Sequence, residues 1–249
     1  MTVSYLDHPS LPHRLAYRHT AGKKDLPSVV YLTGFRSDML GTKVINLEVY
    51  CEQKGLSFTC FDYSGHGQSD GRFEDGTITQ WLNDTLAIID NLTSGPLILI
   101  GSSMGGWLMT LAALKRPERI HGLIGIATAC DFTEKLMWDA LTLSRKELMR
   151  QQGYLIRSTP YNPEGWPITL TLIEDGRHHI LLDKPIAINR PVRLLHGLDD
   201  TDVPWSFSQK LQQQLISEDV TLTLIKAGDH RLSRESDIRF ITQALENIL

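Results

Sequence analysis

Cysteine is scarce in this sequence, with only Cys51, Cys60 and Cys130 among 249 residues. The count is odd, and all three fall inside apolar stretches without a spaced framework, so they read as reduced core residues rather than disulfide partners. No Cys-x-x-Cys pair and no His-Glu-x-x-His run occurs, which removes the usual sequence signs of a metal site. Neither a metal nor another cofactor is expected. Positive charge is not in excess either. Lys and Arg number 25 against 29 Asp and Glu, a formal charge of -4, and that balance offers no footprint for nucleic acid or an anionic bilayer. Apolar runs stop well short of the about 18 residues of a membrane-spanning helix. Residues 1–22 are polar, with His and Pro, and lack the basic-then-apolar order of a secretory signal. These absences point to the cytoplasm. Repeats, low-complexity tracts and linkers are missing too, so a single domain over 1–249 is expected; nothing sets an oligomeric state.

What is present centres on one stretch. Leu97-Ile98-Leu99-Ile100 leads into Gly101-Ser102-Ser103-Met104-Gly105, and an apolar helical pattern at Trp107, Leu108, Leu111 and Leu114 begins straight after. A buried strand, a Gly-x-Ser-x-Gly turn and a helix would hold Ser103 at the tip. Its hydroxyl is then exposed above a helix N-terminus that stabilises developing negative charge. Three fixed positions recur by chance in roughly one chain in ten of this length, so the flanking strand and helix carry much of the weight. The plainer reading is an ordinary turn with a capping serine. Ser102 is the local rival, but it holds the variable position and should point inward from the strand end.

Around this stretch strands and helices alternate. Short extended segments at 3–6 and 14–18, separated by Pro9 and Pro12, suit edge strands. The continuous apolar run at 29–32 predicts a strand buried on both faces, followed by the loop Thr33-Gly34-Phe35-Arg36-Ser37 and a helix over 42–54 closed by Gly55. A strand at 57–61 runs into the turn-rich 62–71. Residues 77–92 place Ile78, Trp81, Leu82, Leu86 and Ile89 at helical spacing. After the central strand and its helix, which ends before Pro117, come strands at 123–127, 191–195 and 220–225, a helix after Pro204 and a closing helix over 237–249. The expected architecture is α/β, a mostly parallel central sheet with helices on both faces. The alternation breaks at 131–189. One or two amphipathic helices within 136–149 and a Pro- and Gly-interrupted 154–166 mark that segment as a cap inserted after the sixth strand.

In such sheets functional groups gather at the carboxyl ends of the strands. Those ends supply Gly34 and Phe35, Asp62, Ser103, the run 196–202, and Asp229 with His230. A serine nucleophile needs a base, and the base needs a carboxylate that fixes its tautomer; the chain supplies them in the order Ser, Asp, His. His230, in a loop beyond the last strand, is the expected base. His196 sits at a strand end before Gly197 and reads as structural. His66 in a turn, His121 after a helix and His178-His179 in the cap carry weaker signals. Asp199, Asp200 and Asp202 crowd one loop, and spacing does not choose among them, although Asp202 could cap the helix near Pro204. Asp70 and Asp229 read as turn residues, the latter poorly placed to accept the ring N–H of adjacent His230. The N–H groups of Met104 and Phe35 are the expected oxyanion donors, Gly34 allowing the close approach. Arg36 faces either the pocket or solvent.

Leu32-Thr33-Gly34-Phe35, Asp62-Tyr63-Ser64-Gly65-His66-Gly67-Gln68-Ser69, Gly101-Ser102-Ser103-Met104-Gly105-Gly106, His196-Gly197-Leu198-Asp199-Asp200-Thr201-Asp202-Val203-Pro204 and Gly228-Asp229-His230 together resemble the α/β-hydrolase family across nearly the whole chain. The resemblance implies Asp200 as the acid and Phe35 as the second oxyanion donor. Segments 61–65, 101–109, 193–197 and 229–231 are further similar to a mitochondrial subgroup, protein depalmitoylases that also cleave acyl glucuronides. That likeness implies thioesterase or carboxylesterase activity.

The expected function is therefore that of a serine hydrolase of carboxylic esters or acyl thioesters, through an acyl-enzyme on Ser103 with His230 and Asp200. Its partner is a small ester or thioester, or an acylated protein. Leu136, Met137, Trp138, Leu141, Trp166, Ile168 and Leu170 give the cap more apolar surface than a solvated insertion needs, which suggests an apolar slot beside Ser103. Gly34, Met137, Trp138 and Trp166 are the expected substrate contacts. Cleavage of an amide or C–C bond on the same fold, or a non-catalytic ligand-binding role, are the alternatives. Epoxide hydrolases and dehalogenases need a carboxylate where Ser103 stands.

Overall fold

In the computed structural model, which describes residues 2–9, 11–159 and 162–249, the apolar runs of the sequence become the middle of a sheet. Its strands are β1 (Ser4–Leu6), β2 (Leu15–Thr20), β3 (Ser28–Leu32), β4 (Phe58–Phe61), β5 (Leu97–Ser102) and β6 (Ile120–Ile126), joined after an insertion by β9 (Val192–Gly197) and β10 (Val220–Ile225). The insertion holds β7 (Tyr154–Thr159) and β8 (Asn162–Thr169), which form a separate two-stranded sheet. The main sheet runs β1-β2-β4-β3-β5-β6-β9-β10. Pairings β1 with β2 and β2 with β4 are antiparallel, and the remainder are parallel. β2 is thus an inner strand, because Tyr17 to Thr20 pair with β4 while β1 covers its other side; only β1 is the edge that the sequence suggested for both.

Helices α1 (Thr42–Lys54), α2 (Ile78–Leu92), α3 (Met104–Lys115), α6 (Ser206–Gln214) and α7 (Glu235–Glu246) cover the sheet, with α4 (Leu143–Gln152) and α5 (Leu170–Arg177) in the insertion. β5 shows why both faces are needed. Leu97 and Leu99 join Trp81, Trp107 and Leu211 in one core, while Ile98 and Ile100 join Leu47, Cys51, Ile241 and Leu245 in the other, the two-residue alternation of a strand sandwiched between helices. Gly55 ends α1 at φ 72°, its N–H bonding the carbonyls of Cys51 and Glu52, a left-handed cap that glycine adopts without a Cβ penalty. Thr77 caps α2 by accepting the Gln80 N–H.

Between β6 and β9 the chain forms a π-helical turn (Thr133–Trp138), α4, the β7–β8 hairpin and α5. Asp131 clasps the two ends of this segment, accepting the N–H groups of Leu181 and Leu182 at 2.9 and 2.8 Å. Two further bonds anchor it below: Trp107 Nε1 donates to the His179 carbonyl at 3.0 Å, and the Thr79 N–H to the Asp175 carboxylate at 2.8 Å.

Candidate active site

Ser103 stands alone between the end of β5 and the start of α3, at φ 55° and ψ -120°. A non-glycine residue in so sparsely populated a region costs of order 1–3 kcal/mol, and the surrounding packing enforces it. A Cβ on Gly101 would lie 2.3 Å from the Gly105 carbonyl oxygen, and one on Gly105 would lie 2.2 Å from that of Leu32. Strand, helix and neighbouring strand therefore touch backbone to backbone, which only glycine permits. The Ser103 N–H donates to the Ile126 carbonyl at 2.9 Å. Ser102 is buried and hydrogen-bonds the Tyr31 phenol, while part of it also borders the cavity at Ser103.

The loop after β10 brings His230 Nε2 to 3.0 Å from Ser103 Oγ, while His230 Nδ1 lies 2.7 Å from Asp200 Oδ2. Facing a carboxylate, Nδ1 carries the proton and donates; Nε2 is left to accept the serine hydroxyl proton. Of the three acids in its loop, Asp200 is the one whose carboxylate meets His230. Its side chain is fully buried, and its Oδ1 accepts the N–H groups of Asp202 and Val203 at 2.9 and 2.8 Å. Burial opposes its charge, but hydrogen bonds from His196 and His230 outweigh that and hold the carboxyl well below the usual carboxylate range. Asp199 is exposed, Asp229 accepts the Leu232 N–H, and Asp70 pairs with Arg14. Asp202 makes no helix cap, since α6 begins after Trp205 without a side-chain bond. Asp200, Asp202 and His230 bring ligand-type atoms within 4.8 Å. The Asp200 oxygens and His230 Nδ1 in this group make the hydrogen bonds given above.

Two further histidines are buried nearby, His196 against Asp200 and His66 against the loop after β3. His196 is fully buried. Its Nε2 faces two acceptors, Asp200 Oδ2 at 3.1 Å and the Val203 carbonyl at 2.9 Å, so it donates. Its Nδ1 accepts from Ser208 Oγ at 2.7 Å, and Ser208 in turn meets Thr128 Oγ1 at 2.8 Å. His66 is buried as well, not a solvated turn residue. Its Nδ1 donates to the Ser64 carbonyl at 3.3 Å and its Nε2 accepts the Arg36 N–H at 3.2 Å. Burial lowers its pKa to about 4, so it remains an acceptor at neutral pH. His121 lies on β6 and contacts the Ile248 carbonyl.

That His66 bond fixes the loop after β3 against the nucleophile. A Cβ on Gly34 would come 3.3 Å from Ser103 Cβ, and Phe35 wedges edge-on against Phe73, Trp81 and Phe132. Neither the Phe35 N–H nor the Met104 N–H has a partner among the described residues. A cavity of about 380 Å³ opens here, lined by Gly34, Phe35, Ser103, Met104, Met137, Trp166 and His230, with Arg36, Lys43, Arg157, Arg231 and Asp202 on its polar side. Arg36 thus faces the cavity, its guanidinium 3.7 Å from the Phe73 ring centre. Trp138 does not reach it. The side chain after Met137 turns to another side of the helical turn and is buried under the cations of Arg177, Lys146 and Arg150 at 4.8, 5.3 and 5.3 Å. Lys43 Nζ donates to the Arg231 carbonyl, tying the His230 loop to α1; burial lowers its pKa to about 8 against the pull of Asp229.

Residues 41–164 match the family described as serine aminopeptidase, S33. The chain is 39% identical over 249 residues to human palmitoyl-protein thioesterase ABHD10, mitochondrial, covering 100% of this chain and 80% of the relative. The chain belongs to the ABHD10 family of α/β-hydrolases. Mouse alpha/beta hydrolase domain-containing protein 10 matches its structure with a TM-score of 0.92 at 38% identity, over 100% of this chain and 98% of that one. A solved structure of a protein from Agrobacterium vitis S4 gives 0.93 at 35% identity, over 99% and 97%. Membership makes the protein a hydrolase. The mammalian relatives carry mitochondrial names, so the cytoplasmic expectation draws no support from them. No helix among the described residues is long and apolar enough to cross a membrane.

Proposed function

We infer that this protein is a serine hydrolase of carboxylic esters and acyl thioesters, with Ser103 as nucleophile, His230 as base and Asp200 as its orienting acid. The observation that carries the reading is the unbroken line from Ser103 Oγ through His230 to Asp200, at 3.0 and 2.7 Å, beside two unpaired N–H groups. As Ser103 Oγ attacks the acyl carbon, His230 Nε2 takes its proton, and the buried Asp200 carboxylate stabilises the resulting imidazolium. The N–H groups of Phe35 and Met104, with the α3 N-terminus behind Met104, receive the oxyanion. His230 returns the proton to the departing alcohol or thiol. A water then gives a proton to His230 as it attacks the acyl-enzyme, and His230 passes that proton to Ser103 Oγ as the acid leaves, which restores the free enzyme.

Gly34, Met137 and Trp166 contact the substrate from the cavity wall. Residues 131–189 act as the cap of a single domain over 1–249. The ABHD10 relatives are named for a palmitoyl-protein substrate, which favours an S-acylated protein or small thioester here. Buried thiols at Cys51, Cys60 and Cys130 fit a reducing compartment, either the cytoplasm or the organelle in the relatives' names.

Matched ester, thioester and amide substrates sharing one acyl group test the reading. Ester and thioester hydrolysis, loss of both in Ser103→Ala, and an acyl adduct on Ser103 in acid-quenched wild type are expected. Turnover of the amide alone, or activity that survives in Ser103→Ala, overturns it.

A further inference from the structure

We infer that the cap carries a second subsite, a cleft that takes the far end of a long acyl chain whose carbonyl lies at Ser103. The inference rests on the ester and thioester reading above. This cleft of about 370 Å³ lies between the π-helical turn, α4, the β7–β8 hairpin and α5, over the buried side chains of Met149, Leu155 and Ile173. It is distinct from the cavity at Ser103, yet Leu136, Met137, Arg157 and Ile168 line both. These four residues therefore form the wall that the two spaces share. Leu136 and Met137 stand on the π-helical turn, a backbone feature found often at functional sites. Methionine, unbranched and with three rotatable bonds, is the apolar side chain best able to swing aside. Movement of Met137 joins the two spaces into one channel.

His230 sets the direction of the chain. It must hand its proton to the leaving group, so the leaving group lies on its side of the cavity, where Lys43, Arg231 and Asp202 make the wall polar. The acyl chain then runs toward Leu136, Met137 and Ile168, which are apolar and lead into the cleft. A short acyl group ends in the first cavity; a fatty-acyl chain continues into the second.

The test compares kcat/KM for butanoyl and dodecanoyl esters of one chromogenic alcohol, below micelle-forming concentrations. Ala140 and Ser158 are exposed, and both line the cleft but not the cavity at Ser103. Ala140→Trp and Ser158→Trp therefore plug it from two separate walls, and either one decides if the other fails to fold. A buried methylene is worth roughly fourfold, so wild type favours the longer ester, and each plug lowers the dodecanoyl-to-butanoyl ratio at least tenfold. Hydrolysis of both esters with a ratio that neither plug moves overturns this inference and leaves the hydrolase reading standing. No hydrolysis of either ester, together with no reaction with a fluorophosphonate, overturns the hydrolase reading itself.

Discussion

One carboxylate oxygen, Asp200 Oδ2, receives N–H donors from two imidazoles, His230 at 2.7 Å and His196 at 3.1 Å. Replacing Asp200 by Asn keeps the size but lets the amide donate to His230 Nδ1, which leaves the imidazole in the wrong tautomer; the serine-protease precedent is a loss of about four orders of magnitude in kcat. Asp199→Asn and Asp202→Asn should each cost less than about tenfold, because neither side chain bonds His230. Steady-state kinetics on the three variants checks this, and a crippled Asp199→Asn would shift the acid by one residue. His66 gives a second prediction. Its folded pKa, about 4, lies below the about 6.5 of an unfolded histidine. It therefore contributes stability above pH 6.5 that is lost as pH falls through 4, on the order of 3 kcal/mol. In His66→Phe the ring packing persists, the Arg36 N–H loses its acceptor, and that share of the acid dependence disappears from thermal melts between pH 4 and 7. The kcat should fall roughly tenfold or more as the Phe35 donor loosens. Ser103 and His230 were legible as a motif and a strand-end loop, and Asp200 only through family likeness. His66 and His196 were not legible, because burial and the partner of each ring nitrogen depend on segments distant in sequence.

The elements divide in the same way. The helix over 42–54 with Gly55 was readable to the residue because a left-handed cap needs glycine, and the strand-turn-helix at Ser103 because apolar pattern and glycines coincide. The β7–β8 hairpin was not. Pro163 and Pro167 lie within β8 and signal interruption, yet a two-stranded hairpin leaves an open side where a missing N–H costs nothing. The clasp that closes this segment was also hidden, since Asp131 reaches Leu181 and Leu182 across 50 residues. Asp131→Ala strands two buried N–H groups at about 1–3 kcal/mol each. The expected outcome is a fall in Tm of roughly 5–10 °C, measured by calorimetry, with the Ser103–His230 pair still reactive. An unchanged Tm would mean that the clasp holds nothing.

At the scale of the whole molecule, Arg18 of β2 and Glu48 of α1 form an ion pair between the sheet and its covering helix, both almost fully buried. Removing one charge leaves the other uncompensated, so Glu48→Gln should destabilise by about 3–5 kcal/mol, whereas Arg18→Met with Glu48→Leu should come close to wild type. Urea denaturation of both variants decides, and equal destabilisation would contradict this account. The sheet, its two cores and this pair serve one end, holding a strained serine opposite a histidine contributed from 127 residues away. The most direct measurement of that claim is reaction with a fluorophosphonate, which only an activated serine undergoes, followed by mass spectrometric mapping of the label. The account predicts one adduct on Ser103, absent from Ser103→Ala and strongly slowed in Asp200→Asn. Label on Ser102, or none on the folded protein, would contradict it.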